Sequence, residues 1–406
     1  MSRIVALDGS RLAGLTAAWA LSRAGARVRV VSAGPVGGGH AERAPFRFEH
    51  GGRDFTFPAE RGAVRIWRRD RNVRRLLDTL GTTRALRVTR KTARISYATQ
   101  RRLEPSGPHP LPPPLRWLTA NRGIPLARAT AFDAALDTER LRGRHADALV
   151  EGLKPESGLL AYAWHQSSTG WRPRLCGLAE SLTRIQSGGL IRPGDCEYAV
   201  LAHTRQRVLV DPLLAAIEAA GGEVIAAPVI PLEPRRHRAG WIALRMWFRG
   251  APLDERADAG EIPGACPVFT WLHRVSPDFS AWRDATGGSV LEMTSTSTGE
   301  GLLERSLGLA EELWPEIAGS YVAGQVILPD EASETPAGVQ PLMSQRCAPS
   351  RLEPQIVAGV EAAHRLAAEA GVDASRLPPV LAPPPPSTVF LRARAALRRA
   401  GVHKGW

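Results

Sequence analysis

Residues 4–14 read Ile4-Val5-Ala6-Leu7-Asp8-Gly9-Ser10-Arg11-Leu12-Ala13-Gly14, and the reading of this stretch decides the fold. Arg3–Leu7 is a short apolar run of strand type, and Leu12–Ala24 has helical spacing and stops at Gly25, a residue suited to the left-handed end of a helix. Val28–Val31 is a second strand. Strand, turn, helix and strand within about thirty residues is the length of a βαβ unit. The turn Gly9-Ser10-Arg11-Leu12-Ala13-Gly14 keeps the first and third glycines of the dinucleotide-binding pattern G-x-G-x-x-G. The first glycine of that pattern makes the tight turn, and the third lets helix and strand approach closely. The second, which lets backbone approach a pyrophosphate, is Arg11 here. A Cβ there obstructs the helix N-terminus, while a guanidinium can pair with phosphate from the side.

The second strand ends at Ser32, where such folds place an acid for the ribose hydroxyls; a serine makes a single hydrogen bond there. Arg27 and Arg29 precede it, a weak pointer to a 2′-phosphate. Pro35-Val36-Gly37-Gly38-Gly39-His40 follows. A glycine pair just after the second strand singles out the FAD branch of these folds.

The chain resembles the amine oxidase / phytoene desaturase superfamily of FAD-dependent oxidoreductases, carotenoid desaturase and isorenieratene synthase-like members included. The first helix, Ala13 to Leu21, and Val36-Gly37-Gly38-Gly39 carry the likeness, with Gly39 standing where the family has Arg. Phe57-Pro58-Ala59-Glu60-Arg61-Gly62, Trp67 and Arg71-Asn72-Val73-Arg74-Arg75-Leu76-Leu77 resemble the family's F-P-x-E-H-G and R-N-L-x-x-L-L stretches, with Arg61 for the His. Residues 211–229 resemble the segment whose final valine, here Val229, meets the adenine. Trp271-Leu272-His273-Arg274, Trp282 and Thr286-Gly287-Gly288 resemble a strand and loop of the same relatives. Residues 357–363 resemble the last helix, which faces the flavin and includes Gly359 and Ala363, but the Gly-Asp that normally precedes it is missing.

The resemblance implies an α/β fold, a Rossmann-type FAD-binding domain interleaved with a mixed α+β substrate domain. Its parts are residues 1–85, 201–235 and 326–371 for the FAD domain, 86–200 and 236–325 for the substrate domain, and 372–406 as a Pro-rich linker and basic tail. It also implies FAD as cofactor, held by Gly9, Ser10, Arg11, Gly14, Ser32, Gly37, Gly38, Gly39, Val229, Gly359 and Ala363. Four of the family's contacts are altered: Arg11, Ser32, Gly39 and the missing Gly-Asp. At about 1–2 kcal/mol each they weaken binding by roughly three to six decades. The function expected is an FAD-dependent oxidoreductase with an apolar, carotenoid- or isoprenoid-like substrate. The alternative is a flavin-free pseudoenzyme of the same fold serving as a binding or partner subunit. No motif identifies a catalytic acid or base.

Composition agrees with a globular protein of one large domain or two. The chain has 406 residues, 44% hydrophobic and 23% charged, with net charge +13. The charge is almost all arginine, for the only lysines are Lys91, Lys154 and Lys404, and aromatics do not interleave with it as nucleic-acid stacking requires. Fourteen basic residues between 61 and 102 face only Asp70 and Asp78; Arg65, Arg68, Arg69, Arg71, Arg74 and Arg75 could line one helix face, solvated or paired with acids, with a phosphorylated or membrane ligand as the alternative. Cys176, Cys196, Cys266 and Cys347 form no CxxC pair, which fits a reducing cytoplasm without structural zinc or disulfides. No apolar run is long enough to span a bilayer, and Leu12–Leu21 is read as helix rather than signal core.

Further along, Asp211–Ala220 reads as a helix stopped by Gly221-Gly222, and Glu223–Ala226 as the strand of a second such unit. Ile242–Phe248 is a strand, 250–265 a Pro/Gly/acid loop, and Gln355–Ala370 a late helix. Residues 105–114 and 378–386 are dense in proline and exclude helix. The tail from Ser387 to Ala400 mixes Phe390, Leu391 and Leu397 with arginines, a pattern for peripheral membrane contact as well as for a solvated tail. The histidines show no metal-ligand spacing; His273, between two tryptophans, reads as structural. Asp54 and Glu60 read as paired or solvated carboxylates beside a cavity-acid alternative.

Overall fold

The structure is a computed structural model. It describes residues 4–32, 36–37, 45–60, 65–67, 70–88, 92–96, 101–103, 198–226, 242–262, 266–295, 301–327 and 352–381. The opening unit folds as its glycines dictate. β1 (Val5–Asp8), α1 (Leu12–Arg23) and β2 (Val28–Ser32) form it, with Val5 opposite Val28 in parallel register. Gly25, at φ 98°, takes the chain out of the helix, a conformation open to glycine and costly for other residues.

The short strands Phe46–His50 (β3) and Arg53–Phe57 (β4) make an antiparallel hairpin. Three strands, Arg65–Trp67 (β5), Leu86–Val88 (β6) and Tyr198–Leu201 (β9), form a second small sheet in the order β5-β9-β6. Between β5 and β6 lies α2 (Arg71–Thr79). The mixed face of arginines expected over residues 65–75 is divided between these elements: Arg65 lies on β5 and Arg71 begins α2.

Asp211–Ala219 (α3) leads into Glu223–Ala226 (β10), which pairs in parallel with β2. The expected second βαβ unit is therefore no separate unit. Its strand completes the first sheet, in the order β1-β2-β10. The reason is the outer edge of β2, whose unpaired N–H and C=O groups need a partner.

The large sheet has seven strands in the order β15-β11-β14-β13-β12-β7-β8. They are Thr92–Ser96 (β7), Arg101–Leu103 (β8), Ile242–Phe248 (β11), Ala259–Ile262 (β12), Cys266–Trp271 (β13), Ser289–Ser295 (β14) and Tyr321–Ile327 (β15). β12 corrects the reading of 250–265 as loop: it pairs antiparallel with β13 and parallel with β7. The segment after β13 also differs from the strand and loop expected. Leu272–Val275 is a short helix (α4), and Ser280–Thr286 (α5), which carries Trp282, is another.

Every residue of β11 is buried, so each face of the sheet is covered. Met246 and Phe248 pack with Ala310 and Trp314, at and just beyond the end of α6 (Leu302–Leu313). On the other face, Trp247 lies under Phe46, Phe48 and Phe57 of the hairpin, with Phe46 stacked at 4.9 Å.

α1 is buried from Leu12 to Ser22, so it is covered on all sides rather than on one stripe. The last helix, α7 (Leu352–Leu366), packs on it through Gly359, where an added Cβ would lie 2.5 Å from the carbonyl oxygen of Ala13 and 2.7 Å from Cβ of Thr16. Replacing Gly359 by Ala is expected to force the two helices apart and to cost about 1–3 kcal/mol. Chemical denaturation would show this as a lower midpoint; an unchanged midpoint would mean that the helices adjust freely.

Candidate functional site: the strand–helix turn

The turn after β1 gathers backbone donors that have no partner among the described residues. The first bond inside α1 runs from Leu15 N–H to the carbonyl of Arg11, at 3.2 Å. Among the described residues no acceptor meets the N–H groups of Leu12, Ala13 and Gly14, although all three residues are buried. Buried unpaired N–H groups at a helix start are costly, and they favour an anion with the helix dipole behind it. Arg11 stands at the N-cap in extended conformation, half-buried, and its guanidinium has no partner among the described residues.

Gly14 faces the carbonyl oxygen of Asp8, which any Cβ would overlap. Gly9 lies equally close to Val30 of β2. The two glycines therefore serve the close approach of helix, turn and strand. Gly37, at φ 85°, donates its N–H to the carbonyl of Gly9 at 2.8 Å and so ties the loop after β2 to the turn. Ser32 ends β2, is buried, and lies beside Gly9. Gly9, Ser10, Arg11, Gly14, Ser32 and Gly37 are thus brought together.

Gly359 and Ala363 take another position. Gly359 is closed against α1, and Ala363 is fully buried in the same apolar core. Their described contacts are packing against α1 and the core. Gly38, Gly39 and Val229 lie outside the described residues, as do residues 387–406.

Sequence reasoning passed over Asp8. It is 4% exposed, and its Oδ1 accepts hydrogen bonds from Ser10 N–H at 2.9 Å and from Ser10 Oγ–H at 2.5 Å. A carboxylate two residues before a serine can close an Asx turn in this way, and that local pairing was the only signal available in the sequence.

The stretch from Phe57 to Leu77 is structural in its described contacts. Glu60 is paired, as read: its Oε1 accepts from Arg205 N–H and Nε, at 2.9 and 2.8 Å. Arg245, in the middle of β11 and fully buried, donates through Nη1 to Pro58 O at 2.6 Å. Through Nη2 it donates to Glu60 O at 2.6 Å and to Glu292 at 3.0 Å. Burial lowers its pKa, and Glu292 and Glu60 oppose that. Its guanidinium also lies 4.6 Å from the ring centre of Phe279. Asp54, on β4, is exposed.

Asn72 explains the Arg-Asn-Val stretch. Its side chain donates to Glu353 at 2.7 Å and to Leu381 O at 2.9 Å. Glu353, near the start of α7, also accepts from the N–H groups of Asn72 and Val73 at 3.2 and 2.8 Å, and so caps α2 from outside. Burial and then the charge of Asp70 raise the Glu353 pKa against these donors.

His273 is buried under Trp271, and its Nδ1 accepts from Val290 N–H at 3.1 Å. Burial holds its pKa down at about 3, so it is a neutral structural group, as read. Among the described residues no group of His, Cys, Asp and Glu side chains is arranged to hold a metal, and no helix is long and apolar enough to cross a membrane.

This fold and turn match known proteins. Residues 12–184 match the family model described as flavin containing amine oxidoreductase. In fold the chain is similar to cyclohexylamine oxidase from Brevibacterium oxydans IH-35A, at 14% identity and TM-score 0.55, covering 91% of this chain and 99% of that one. It is similar to a putrescine oxidase bound to putrescine, at 12% identity and TM-score 0.53 over 90% and 100%. It is equally similar to a Rab GDI from Plasmodium falciparum, at 12% identity and TM-score 0.52 over 90% and 98%. No curated protein matches.

The class is a flavoprotein fold with a dinucleotide-binding turn. Over residues 12–184 the chain is similar to the flavin-containing amine oxidoreductases.

The residues present fit a pyrophosphate at the turn in two ways and resist it in one. The N–H donors of Leu12–Gly14 and the Arg11 guanidinium, without partners among the described residues, would attract it. The buried carboxylate of Asp8 repels it. FAD, if bound here, would meet in Arg11 a side-chain cation where the missing glycine would allow backbone approach.

Proposed function

We propose that the protein is an FAD-dependent oxidoreductase acting on an apolar, isoprenoid-like substrate. The observation that carries the cofactor half is the cluster of N–H donors at the start of α1 beside Arg11, which have no partner among the described residues. FAD, when bound, supplies the redox chemistry by accepting two electrons as a hydride. The chain's own part is to bind and to shield. Arg11 and the first N–H groups of α1 would hold phosphate, with Ser32 at the end of β2 beside them. Arg245 fixes the segment Pro58–Glu60 against the large sheet.

The substrate half is supported by the resemblance of residues 57–77 to carotenoid-modifying members, while the oxidases similar in fold are named for amines. Because the described contacts of residues 57–77 are internal, they hold the fold and select no substrate by themselves. The Asp8 carboxylate favours a second reading, a flavin-free binding subunit, and the same fold in a Rab GDI agrees that fold alone does not require oxidase chemistry.

One titration separates the two. The purified protein is expected to take up FAD with a micromolar dissociation constant, read as quenching of flavin fluorescence and as a flavin band in the visible spectrum. A colourless protein that takes up no FAD at several hundred micromolar would remove the oxidoreductase reading and leave the binding subunit.

A further inference from the structure

We propose that Asp8 is a built-in competitor of the cofactor's pyrophosphate, an internal anion that sets how tightly the turn holds a dinucleotide. The inference rests on the dinucleotide reading of the turn and adds to it a residue that decides affinity.

Three observations carry it. Asp8 is the last residue of β1, where the turn begins, and it is 4% exposed, so its charge is little screened by water. Its Oδ1 already takes two donors of the turn, the N–H and the hydroxyl of Ser10. Those donors sit between the first glycine and Arg11, inside the loop that a pyrophosphate must approach. The same carboxylate thus uses up donors of Ser10 and places a negative charge in the turn that leads into the N–H groups of Leu12, Ala13 and Gly14, which have no partner among the described residues. Arg11 is the counterweight, a cation in the turn with no partner of its own among the described residues. Two departures from a glycine-lined turn therefore belong together, one negative and one positive, and the net charge met by an incoming phosphate is close to zero rather than positive.

Two like charges some 6 Å apart at an effective dielectric constant of about 20 repel enough to change affinity by about a hundredfold, and partial exposure of the turn brings this to about ten- to a hundredfold. Asp8→Asn keeps the shape and an acceptor for Ser10 while removing the charge. Asp8→Val removes the acceptor as well. Both are expected to tighten binding of FAD by at least tenfold, and Arg11→Ala to weaken it by a similar factor, with a shallower dependence on salt.

The experiment measures binding of FAD and, separately, of ADP to the full chain and the three variants. Fluorescence quenching reads FAD, calorimetry reads ADP, and thermal melts confirm that each variant is folded. ADP carries the pyrophosphate without the flavin. Tightening of both ligands by Asp8→Asn and by Asp8→Val supports the proposal. Tightening of ADP alone, with no FAD bound by any form, supports the competitor role and overturns the flavin reading. Binding of FAD and ADP within threefold of the parent in both folded Asp8 variants overturns the competitor role and leaves the flavin reading standing.

Discussion

Arg245→Ala is expected to lower the stability of the protein by about 3–5 kcal/mol, a large share of what holds a typical domain folded. The side chain is fully buried, and four of its contacts fail together. Glu292, itself 3% exposed, loses its Arg245 partner, and the carbonyls of Pro58 and Glu60 lose their donor. Phe279 loses the guanidinium lying on its ring. Most of the cost is the penalty for polar groups left buried without their partner, not the worth of the ion pair as such. Arg245→Lys cannot rescue the site, because one ammonium cannot reach carbonyls and a carboxylate as a planar fork does. Arg245→Met combined with Glu292→Leu is expected to recover part of the loss, since it removes both charges at once. Urea midpoints of the three variants measure this. A loss below about 1 kcal/mol for Arg245→Ala would mean that the polar cluster is not what joins the segment after β4 to the large sheet.

Acid is expected to unfold the protein through His273 over a defined range. In the folded chain, burial holds the imidazole neutral down to about pH 3, while its ordinary value is 6.5. Arg274 and Arg283 add to the depression, and the backbone of Val290 opposes it. The unfolded chain therefore binds a proton that the folded chain refuses. The stability this neutral group contributes is fully present above about pH 6.5, falls as pH drops, and has gone by about pH 3. The slope is about 1.4 kcal/mol per pH unit, which amounts to up to about 5 kcal/mol over the range. His273→Asn offers Val290 N–H an acceptor that does not titrate. It is expected to be less stable than the parent at pH 7 and to lose less between pH 7 and pH 4. Equal losses in parent and variant would assign the acid limb to other groups.

The parts of this molecule that were legible in the sequence are those whose cause is local. Gly9 and Gly14 announced a turn because no other residue fits against Val30 and the Asp8 carbonyl. Gly25 marked the end of α1, and the apolar run from Ile242 to Phe248 marked a strand buried on both faces. What was not legible depends on partners far along the chain. β12 is a weak strand by composition and exists because β7 and β13 flank it. Glu223–Ala226 read as the end of a new unit, and only the free edge of β2 shows why it joins the old one.

The site shows the same division. The glycines and Arg11 stood out by position, whereas Asp8 looked like any polar residue closing a strand. Asn72 and Glu353 meet across most of the chain and carry no shared motif. Arg245 sat in an apolar strand, where its partners Pro58, Glu60 and Glu292 come from two other segments.

The enclosure of α1 has a consequence for synthesis. The helix leaves the ribosome well before its covering elements, since the strand that closes its sheet ends at residue 226 and the helix that covers it begins at residue 352. At about 5–20 residues per second, the covering helix follows tens of seconds later. For that interval an apolar helix and an open strand edge wait together. A chaperone that shelters α1 and this edge during that interval is therefore expected to raise the yield of folded protein.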